Sequence, residues 1–376
     1  MQNTSKKPAF VRVRCFSVSC SLFVVALFAL ATDAQAQAEA RKYSNEFFNI
    51  GVGARALGMS NAYVTSVDDV TAGYWNPAGL TGVSSNLQIG LMHSEYFAGI
   101  AKYDYGAFAT PIDSVSSFGL SVIRFGVDNI PNTTELIDQQ GNIDYDRITS
   151  FSAADYGFVF SYARKMATGL RLGANAKIVH RRVGDFGRAW GFGFDLGAQY
   201  DYKKWKFGAM ARDVTTTVNA WSFDLSDSMK ETFTLTGNEI PEASTEITLP
   251  KLILGVARKV DFKEKFSLLT ELNFDATFDG KRNVVLSGDP VSVDPHFGLE
   301  LGYDNKIFLR GGIGNVQRVK AEFSDNDVTT FQSNIGIGLQ FSGLSIDYAL
   351  TDIGDQSVAL FSNAFSLRID LNKKAS

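Results

Sequence analysis

The chain has 376 residues, of which 45% are hydrophobic and 20% charged, and its formal net charge is -4. The acidic balance argues against nucleic acid as a partner, because surfaces that bind nucleic acid are basic. Both cysteines, Cys15 and Cys20, lie in the first 36 residues. The remainder of the chain therefore has neither disulfides nor thiolate metal sites.

Residues 1–36 are predicted to form a cleaved secretory signal peptide. A basic start is followed by an apolar stretch over 19–31 and by the small-residue sequence Ala34-Gln35-Ala36, which is the order of such signals. The apolar stretch is shorter than the roughly 20 residues of a membrane-spanning helix, and an uncleaved anchor is the alternative. Removing this segment takes away four basic residues and one acid, which leaves 32 basic and 39 acidic residues and a net charge of -7.

The stretch Phe47–Leu80 differs from everything that follows it, because it is rich in glycine and shows no alternation of apolar and polar residues. It ends on Trp75-Asn76-Pro77-Ala78-Gly79, where Asn-Pro favours a turn and Gly79 permits positive φ. We expect residues 37–80 to be a compact, close-packed insert inside a larger framework. The residues that define this plug motif are Gly51, Gly53, Arg55, Gly58, Asp68, Asp69, Trp75, Asn76, Pro77 and Gly79.

After residue 80 the sequence alternates apolar with polar or small residues in short segments, which is the pattern of strands with one apolar face. In 189–200, for example, Trp190, Phe192 and Phe194 share one face, whereas Asp195 and Gln199 share the other. Fourteen strands are predicted: 87–93, 99–109, 118–126, 156–164, 170–180, 189–200, 205–212, 251–259, 265–275, 296–303, 306–314, 332–341, 344–350 and 361–371.

The strand number indicates which face is buried. Fourteen strands closed in water would surround a lumen too wide for these side chains to fill. In an outer-membrane barrel the apolar face meets lipid and the small polar face lines the lumen. Aromatic residues near strand ends suit interfacial girdles: Tyr103, Tyr162, Trp190, Tyr200, Trp205, Tyr303 and Tyr348.

The connections alternate in length. Short ones are 110–117, 165–169, 201–204, 260–264, 304–305 and 342–343, and long ones are 127–155, 213–250, 276–295 and 315–331. Short periplasmic turns and long outer loops are typical of up-and-down outer-membrane barrels. We therefore predict an all-β, membrane-spanning antiparallel barrel of about 14 strands over 81–376, in contact with outer-membrane lipid. An even strand number places both barrel ends on the periplasmic side, so the plug is expected to begin there and fold up into the lumen.

Arg55 is the charge of most interest, because an arginine inside a lumen needs a carboxylate partner. The inward-facing acids that could serve are Asp195, Glu271, Asp275 and Glu300. The alternative is that Arg55 is solvated at the periplasmic mouth. Two readings also stay open for Asp68-Asp69, which suit either a solvated turn or the cap of a short helix beginning near Val70.

No pattern indicates catalysis, a cofactor or a metal. Residues Gly51–Ala56 match the dinucleotide glycine pattern loosely, but that motif needs a βαβ unit. His93, His180 and His296 lie at or near strand ends without metal-ligand spacing, so structural roles are expected. Serine and histidine residues could pair as in barrel hydrolases, but no nucleophile and base are arranged in a motif. We predict a protein that is not an enzyme.

Three ordered motifs carry a family resemblance. Asn49–Met59, Asn61–Val64 with Asp68-Asp69, and Tyr74–Leu80 resemble the N-terminal signature of the PorV/PorQ outer-membrane proteins of the Bacteroidetes group, which are related in architecture to the FadL fatty-acid channels. The signature covers about a tenth of the chain. The resemblance implies a fourteen-stranded barrel with its N-terminal segment packed inside.

The resemblance also implies a function. The best-known members of this family serve type IX protein secretion, in which one type joins the translocon, binds the C-terminal signal domain of secreted cargo and passes the cargo on. We therefore expect a component of that system or of a related outer-membrane assembly complex. Its working parts would be the outer loops, mainly 127–155 and 213–250, and the lipid-facing wall, which would dock a larger barrel. A FadL-like channel for hydrophobic small molecules is the alternative, although small polar inward faces weigh against it. A structural subunit without cargo contact also stays open.

Overall fold

The computed structural model describes residues 44–136, 142–320, 327–353 and 361–372. The signal segment 1–36 and residues 37–43 of the plug lie outside the described residues, so those predictions stay predictions. Within the described part of the chain, no helix has both the length and the apolar character that crossing a membrane requires.

The described residues form one antiparallel sheet of sixteen strands. In chain order these are β1 Leu87–Tyr96, β2 Ala101–Pro111, β3 Ser116–Asn132, β4 Thr149–Ala167, β5 Leu170–Val183, β6 Gly187–Tyr202, β7 Trp205–Arg212, β8 Thr217–Phe223, β9 Ser244–Thr248, β10 Lys251–Phe262, β11 Phe266–Thr277, β12 Ser292–Tyr303, β13 Ile307–Lys320, β14 Asp327–Phe341, β15 Leu344–Ile353 and β16 Ser362–Leu371.

Fourteen of these strands, β1–β7 and β10–β16, close into a barrel. The first and last strands pair along their whole length, with Leu87 opposite Leu371 and Glu95 opposite Asn363, and β5 pairs with β6 on the other side. The prediction of a closed fourteen-stranded antiparallel barrel is therefore confirmed. Most strands extend beyond their predicted ends toward the long connections.

The sequence analysis missed the hairpin of β8 and β9, which lies inside the predicted loop 213–250. Above the last β7–β6 pair, Ala211 opposite Leu196, β8 takes over as the partner of β6, with Val218 opposite Phe192. β9 then pairs with β8. The loop at the tip of this hairpin contains a helix, Asp227–Leu235, whose first turn is capped by the side chain of Ser226. Part of the predicted loop 213–250 therefore forms two strands of the sheet.

The two faces of the strands divide as predicted. On β6, Trp190 is 55% exposed, whereas Asp195 and Gln199 on the opposite face are buried. Tyr103 was wrongly assigned to an aromatic girdle. It is fully buried, because it lies on the inward face of β2 and donates a hydrogen bond to the carbonyl of Phe47 in the plug.

The barrel has two unlike rims. We call the end with turns 112–115, 168–169, 203–204, 263–265, 304–306 and 342–343 the short-turn rim, and the opposite end the long-connection rim. The described plug begins at the long-connection rim, where Asn45 donates to Thr248 at 2.8 Å, and ends at the short-turn rim, where β1 starts. The predicted periplasmic start of the plug falls in residues 37–43, outside the described residues, so it stays a prediction. Contacts with the β8–β9 hairpin hold the start of this segment at the long-connection rim.

Candidate functional site: the plugged lumen

The plug lies inside the barrel as a chain of single turns. Its helical pieces are Glu46–Asn49, Ala54–Leu57, Ala72–Trp75 and Pro77–Gly82, and most of the intervening residues are buried. Such short turns leave many backbone N–H and C=O groups without partners of their own. A buried backbone group without a partner is costly, so the surrounding wall has to supply hydrogen bonds.

Polar side chains of the wall bind the plug backbone directly. The Glu271 carboxylate of β11 accepts hydrogen bonds from the N–H groups of Thr65 and Ser66 at 2.7 and 3.1 Å. On β6, the Gln199 amide donates to the carbonyls of Val64, Thr65 and Val67 at 3.0–3.3 Å. The turn at Val64–Val67 is thus bonded from two sides of the barrel.

Other wall residues repeat this arrangement along the plug. The Arg212 guanidinium donates to the carbonyls of Phe48 and Tyr74, each at 3.0 Å, and its Cζ lies 4.5 Å from the centre of the Tyr74 ring. The amides of Asn175 and Asn334 donate to the carbonyls of Gly73 and Leu57, respectively. The small polar inward face predicted from the sequence therefore binds the backbone of the plug.

Inward-facing glycines let the plug approach the wall. A Cβ at Gly312 of β13 would lie 2.6 Å from the Met59 carbonyl oxygen, and one at Gly173 of β5 would lie 2.5 Å from the Ala78 nitrogen. Contacts this short are not tolerated without movement of the backbone. Glycine at these two wall positions therefore leaves room for the backbone of the plug.

Arg55 forms an ion pair with the wall. Its Nε donates to Glu300 Oε2 at 2.8 Å and its Nη2 donates to Oε1 at 2.9 Å. Arg310 of β13 donates to the same carboxylate at 2.7 Å and to Asp347 at 2.6 Å. Glu300 is one of the four acids considered as a partner, and the two arginines share it. Mixed charges of this kind are stable in a lumen when all of them are paired.

The two aspartates of the plug differ in their surroundings. Asp69 is buried, accepts hydrogen bonds from the Thr71 N–H and hydroxyl, and accepts one from Arg368 of β16 at 2.9 Å. Asp68 is half-exposed and lies 3.5 Å from Arg55. The short helix begins at Ala72, two residues later than the position considered from the sequence.

The electrostatics of Asp69 follow from these contacts. Asp69 belongs to the plug and not to a spanning strand. Burial alone would raise its pKa, but attraction to Arg368 and then to Arg55, together with the hydrogen bonds from Thr71, lowers the pKa below its ordinary value of 3.8. Asp69 therefore stays ionised and holds the plug to the last strand.

The Trp-Asn-Pro turn joins the plug to itself and to the wall. The Trp75 indole donates to the Val52 carbonyl at 2.8 Å. The Asn76 amide donates to the carbonyls of Val64 and Ala198, each at 3.0 Å, and its oxygen accepts from the Ala78 N–H. Pro77 starts the next helical turn.

The glycines of the motif have backbone and packing roles. Gly51 and Gly53 adopt φ of 104° and 85°, values that disfavour residues with a Cβ. Gly58 packs against the backbone of Gly336, and Gly79 packs against the carbonyl of Val67. The structure thus brings the predicted motif residues together in one close-packed segment.

A buried charge cluster in the wall was not found from the sequence. Lys177 Nζ lies 2.7 Å from Asp195 and 2.6 Å from Asp213. Asp195 is therefore paired inside the wall, and Asp275 is paired with Lys251 at 2.6 Å. Alternation places these residues inward, but sequence alone does not show which strands bring opposite charges together.

The plug leaves a cavity on each side. The cavity toward the long-connection rim has a volume of about 520 Å³ and is lined by polar groups such as Arg212, Lys251 and His296 and by the rings of Tyr74 and Trp75. The cavity toward the short-turn rim has a volume of about 340 Å³ and is bordered by the Arg55 cluster. The plug separates the two.

The described residues contain no group of three or more His, Cys, Asp or Glu side chains arranged to hold a metal ion. His296 bonds to the Ser60 carbonyl of the plug at 2.9 Å. His180 stacks on Trp190 with a centroid distance of 4.1 Å on the outer face.

Comparisons with known proteins give matches in fold. No family model matches the chain, and no curated protein matches it. Among solved structures, the CymD monoaromatic hydrocarbon channel aligns over 86% of this chain and 98% of its own length, with a TM-score of 0.52 and 12% identity. The toluene transporters TbuX of Ralstonia pickettii and TodX of Pseudomonas putida each align with a TM-score of 0.51 and 13% identity.

The two transporters are covered almost completely by the alignments, which span 86% and 85% of this chain and 99% and 96% of theirs. At identities this low, the TM-scores indicate a likeness in fold alone. The chain is therefore similar in fold to these channels, and its own fold is a closed antiparallel β-barrel.

Proposed function

We propose that this chain is a plugged, non-catalytic outer-membrane barrel that acts by binding protein partners at its long-connection rim, as the PorV/PorQ resemblance implies for type IX secretion or a related assembly. The observation that carries the proposal is the polar bonding of the plug. Wall residues such as Gln199, Arg212 and Glu271 bind the plug backbone and hold the plug between the two cavities of the described lumen.

The long-connection rim has the character of a binding surface. Apolar side chains on its connections are more than half exposed: Ile143, Tyr145, Leu235 and Leu286. They lie in the described parts of the connections 133–148, 224–243 and 278–291, beyond the strands. Exposed apolar side chains on ordered rim segments favour contact with another protein. Under this proposal the partners are a larger outer-membrane complex and the signal domains of secreted cargo.

Capture of partners from gently solubilised membranes tests this proposal. The variant replaces residues 224–243 by a short turn, which keeps β8 and β9 but removes the helix Asp227–Leu235. We expect the full chain to co-purify with secretion or assembly subunits and the variant to lose most of them. A gel on which both samples migrate differently before and after boiling controls for barrel folding. Equal recovery with both chains, or no partner with either, would overturn the proposal.

A second candidate is passage of small hydrophobic molecules, and the comparisons support it more directly than the first. The matching structures are described as channels or transporters for monoaromatic hydrocarbons and toluene. The larger cavity has Tyr74, Trp75, Tyr96 and Phe97 in its lining, which could contact an aromatic ligand. Passage would require the plug to move, because it separates the two cavities.

Uptake of labelled toluene by cells with and without the chain distinguishes the two candidates. A deletion that lowers uptake and leaves secretion intact would favour passage. A deletion that impairs secretion with unchanged uptake would favour partner binding.

A further inference from the structure

The cavity toward the short-turn rim is bordered by more positive than negative side chains. Five cations and three carboxylates belong to its lining, which gives an excess of two positive charges: Arg55, Lys206, Lys259, Arg310 and Arg368 against Asp68, Glu300 and Asp347. A cleft lined mainly by one sign of charge, between walls of low dielectric, concentrates ions of the opposite sign. The lining therefore favours an anion in this cavity.

The three carboxylates of the lining are engaged by arginines. Glu300 accepts hydrogen bonds from Arg55 and Arg310, and Asp347 accepts one from Arg310 at 2.6 Å. Asp68 lies 3.5 Å from Arg55. In the part of the chain that the structure describes, no ion pair joins any of these acids to a lysine of the lining. The lysines are thus the cations that the lining leaves without a carboxylate.

The two lysines project from the plug-facing side of β7 and β10. Lys206 is two residues from Gly208, where a Cβ would lie 2.8 Å from the hydroxyl of Thr65 in the plug. Lys259 is two residues from Ala257, which is buried. Residues two apart in a strand share a face. Because Lys206 lies opposite Ala257, Lys259 is its diagonal neighbour, at a Cα separation of about 7–8 Å.

Carboxylates outside the lining do not neutralise these lysines closely. Lys206 Nζ lies 3.9 Å from Asp201, and that carboxylate is bound by Arg171 at 2.8 Å. The side chain of Lys259 makes neither an ion pair nor a hydrogen bond with any described residue. Its opposite residue on β11 is the buried Leu269. The two ammonium groups repel each other, and an anion between them removes that repulsion.

A buried N–H group of the lining also lacks an acceptor. Arg368 of β16 donates to Asp69 and Ser345, but its Nε has no hydrogen-bond partner among the described residues. The nearest carboxylate to this nitrogen is that of Asp370, at 4.0 Å. A buried donor without an acceptor is costly. Oxygen acceptors are therefore what this cavity lacks.

We propose that the cavity binds a small dianionic oxyanion, such as phosphate, between Lys206 and Lys259. Lysine binds phosphate as a point charge, and two ammonium groups balance a dianion. The volume of about 340 Å³ holds such an ion together with water, and Asn305 of the turn 304–306 borders the cavity, so the ion enters from the short-turn rim. The other cavity differs, because its lysine, Lys251, is paired with Asp275 at 2.6 Å.

This inference depends on the plugged barrel and not on either proposed function. A barrel that binds partners at the long-connection rim and one that passes hydrocarbons would both carry the site, because it lies on the other side of the plug. Anion binding is measured without a partner protein or a hydrocarbon. Its failure is therefore distinguishable from the failure of either proposed function.

Titration calorimetry of the purified full chain in detergent micelles tests the inference with inorganic phosphate at low ionic strength. We expect saturable binding with a Kd below about 1 mM. Chloride, a monoanion, should bind at least about tenfold more weakly, because it has half the charge. Absence of saturable phosphate binding, or equal binding of chloride, would overturn the inference.

Two charge-matched variants locate the ion. Lys206→Gln/Lys259→Gln removes the cationic pair, and Lys203→Gln/Lys263→Gln removes two exposed lysines from turns of the same rim. We expect the phosphate affinity to fall about tenfold or more in the first and to stay within about twofold of the parent in the second. Both should keep the heat-dependent gel shift of a folded barrel. Equal affinity of the first variant and the parent would refute the site.

Amine labelling locates the ion without any substitution. Both lysines of the site are accessible to solvent, as are Lys203 and Lys263, so an acetylating reagent reaches all four. The full chain is labelled with and without saturating phosphate, and each lysine is followed by mass spectrometry. We expect phosphate to suppress acetylation of Lys206 and Lys259 and to leave the two turn lysines unchanged. The same labelling of Lys206 and Lys259 in both samples would contradict the site.

Discussion

Arg55 in the plug and Glu300 on β12 are separated by 245 positions in the sequence and form a two-point ion pair at 2.8 and 2.9 Å. Arg310 binds the same carboxylate. The pair therefore belongs to a network that fixes the middle of the plug to strands late in the chain.

Removing the Arg55 side chain should loosen the plug. In Arg55→Ala, Glu300 keeps Arg310 as its partner, so we expect a loss of about 1.5–3 kcal/mol, the range for hydrogen bonds to charged groups, and not the larger cost of an isolated buried charge. Limited proteolysis of the plug and the temperature of the gel shift measure the change. Arg147→Ala removes an exposed pair with Asp144 and should have no effect. Equal protease resistance of the Arg55 variant and the parent would refute the anchoring role.

Two adjacent glycines on β13 provide a matched test of close packing. A Cβ at Gly312 would collide with the Met59 backbone, whereas one at Gly311 would have its nearest neighbour, the Asn334 carbonyl, at 4.0 Å. Gly312→Ala should cost about 1–3 kcal/mol by overpacking. Gly311→Ala should be neutral. Thermal unfolding measured on both proteins would contradict the packed plug if the two changes had the same effect.

Glu271 acts as an acceptor for two plug N–H groups. In Glu271→Gln one acceptor oxygen becomes an amide nitrogen that faces an N–H donor, and a buried unsatisfied donor costs about 1–3 kcal/mol. We expect a lower unfolding temperature and faster proteolysis near Thr65. Glu264→Gln in an exposed turn is the control. A parent-like Glu271→Gln protein would show that the carboxylate does not hold this turn.

The plug should loosen in acid. Because the folded pKa of Asp69 is lowered, its stabilising contribution is present above the unfolded value of about 3.9 and is lost as the pH falls through the lower folded pKa. Protease access to the plug should therefore increase below a pH of about 4. Asp69→Asn should show raised access already at pH 7 and a weaker acid response. A variant with the same pH profile as the parent would exclude Asp69 as the titrating group.

The barrel could be predicted from the sequence because alternation has a period of two and places each residue on a definite face. Trp190, Asp195 and Gln199 lie where the pattern placed them. Tyr103 does not lie in the lipid girdle where it was predicted. An aromatic residue near a strand end fits either a lipid girdle or a contact with the plug, and the sequence does not distinguish the two. The hairpin β8–β9 was missed because Ser244–Thr248 is short and mostly polar, so its pairing depends on a neighbour that the local pattern does not reveal.

The pairing of charges was less predictable than the faces. Four acids were considered for Arg55, and the choice of Glu300 depends on the register of β12 against β13 and on the height of the plug turn. Asp195 and Asp275 face inward as expected but are neutralised by Lys177 and Lys251. Those partners are set by long-range strand pairing, which periodicity does not encode.

Amide hydrogen exchange of the purified full chain in lipid tests most directly that the polar wall binds the backbone of the plug. We expect peptides covering residues 60–72 to exchange as slowly as the wall strands, because the N–H groups of Thr65, Ser66 and Val70 are bonded to Glu271 and Gln88. Peptides from the exposed helix Asp227–Leu235 provide the fast reference. Exchange of residues 60–72 at the rate of that helix would contradict the account.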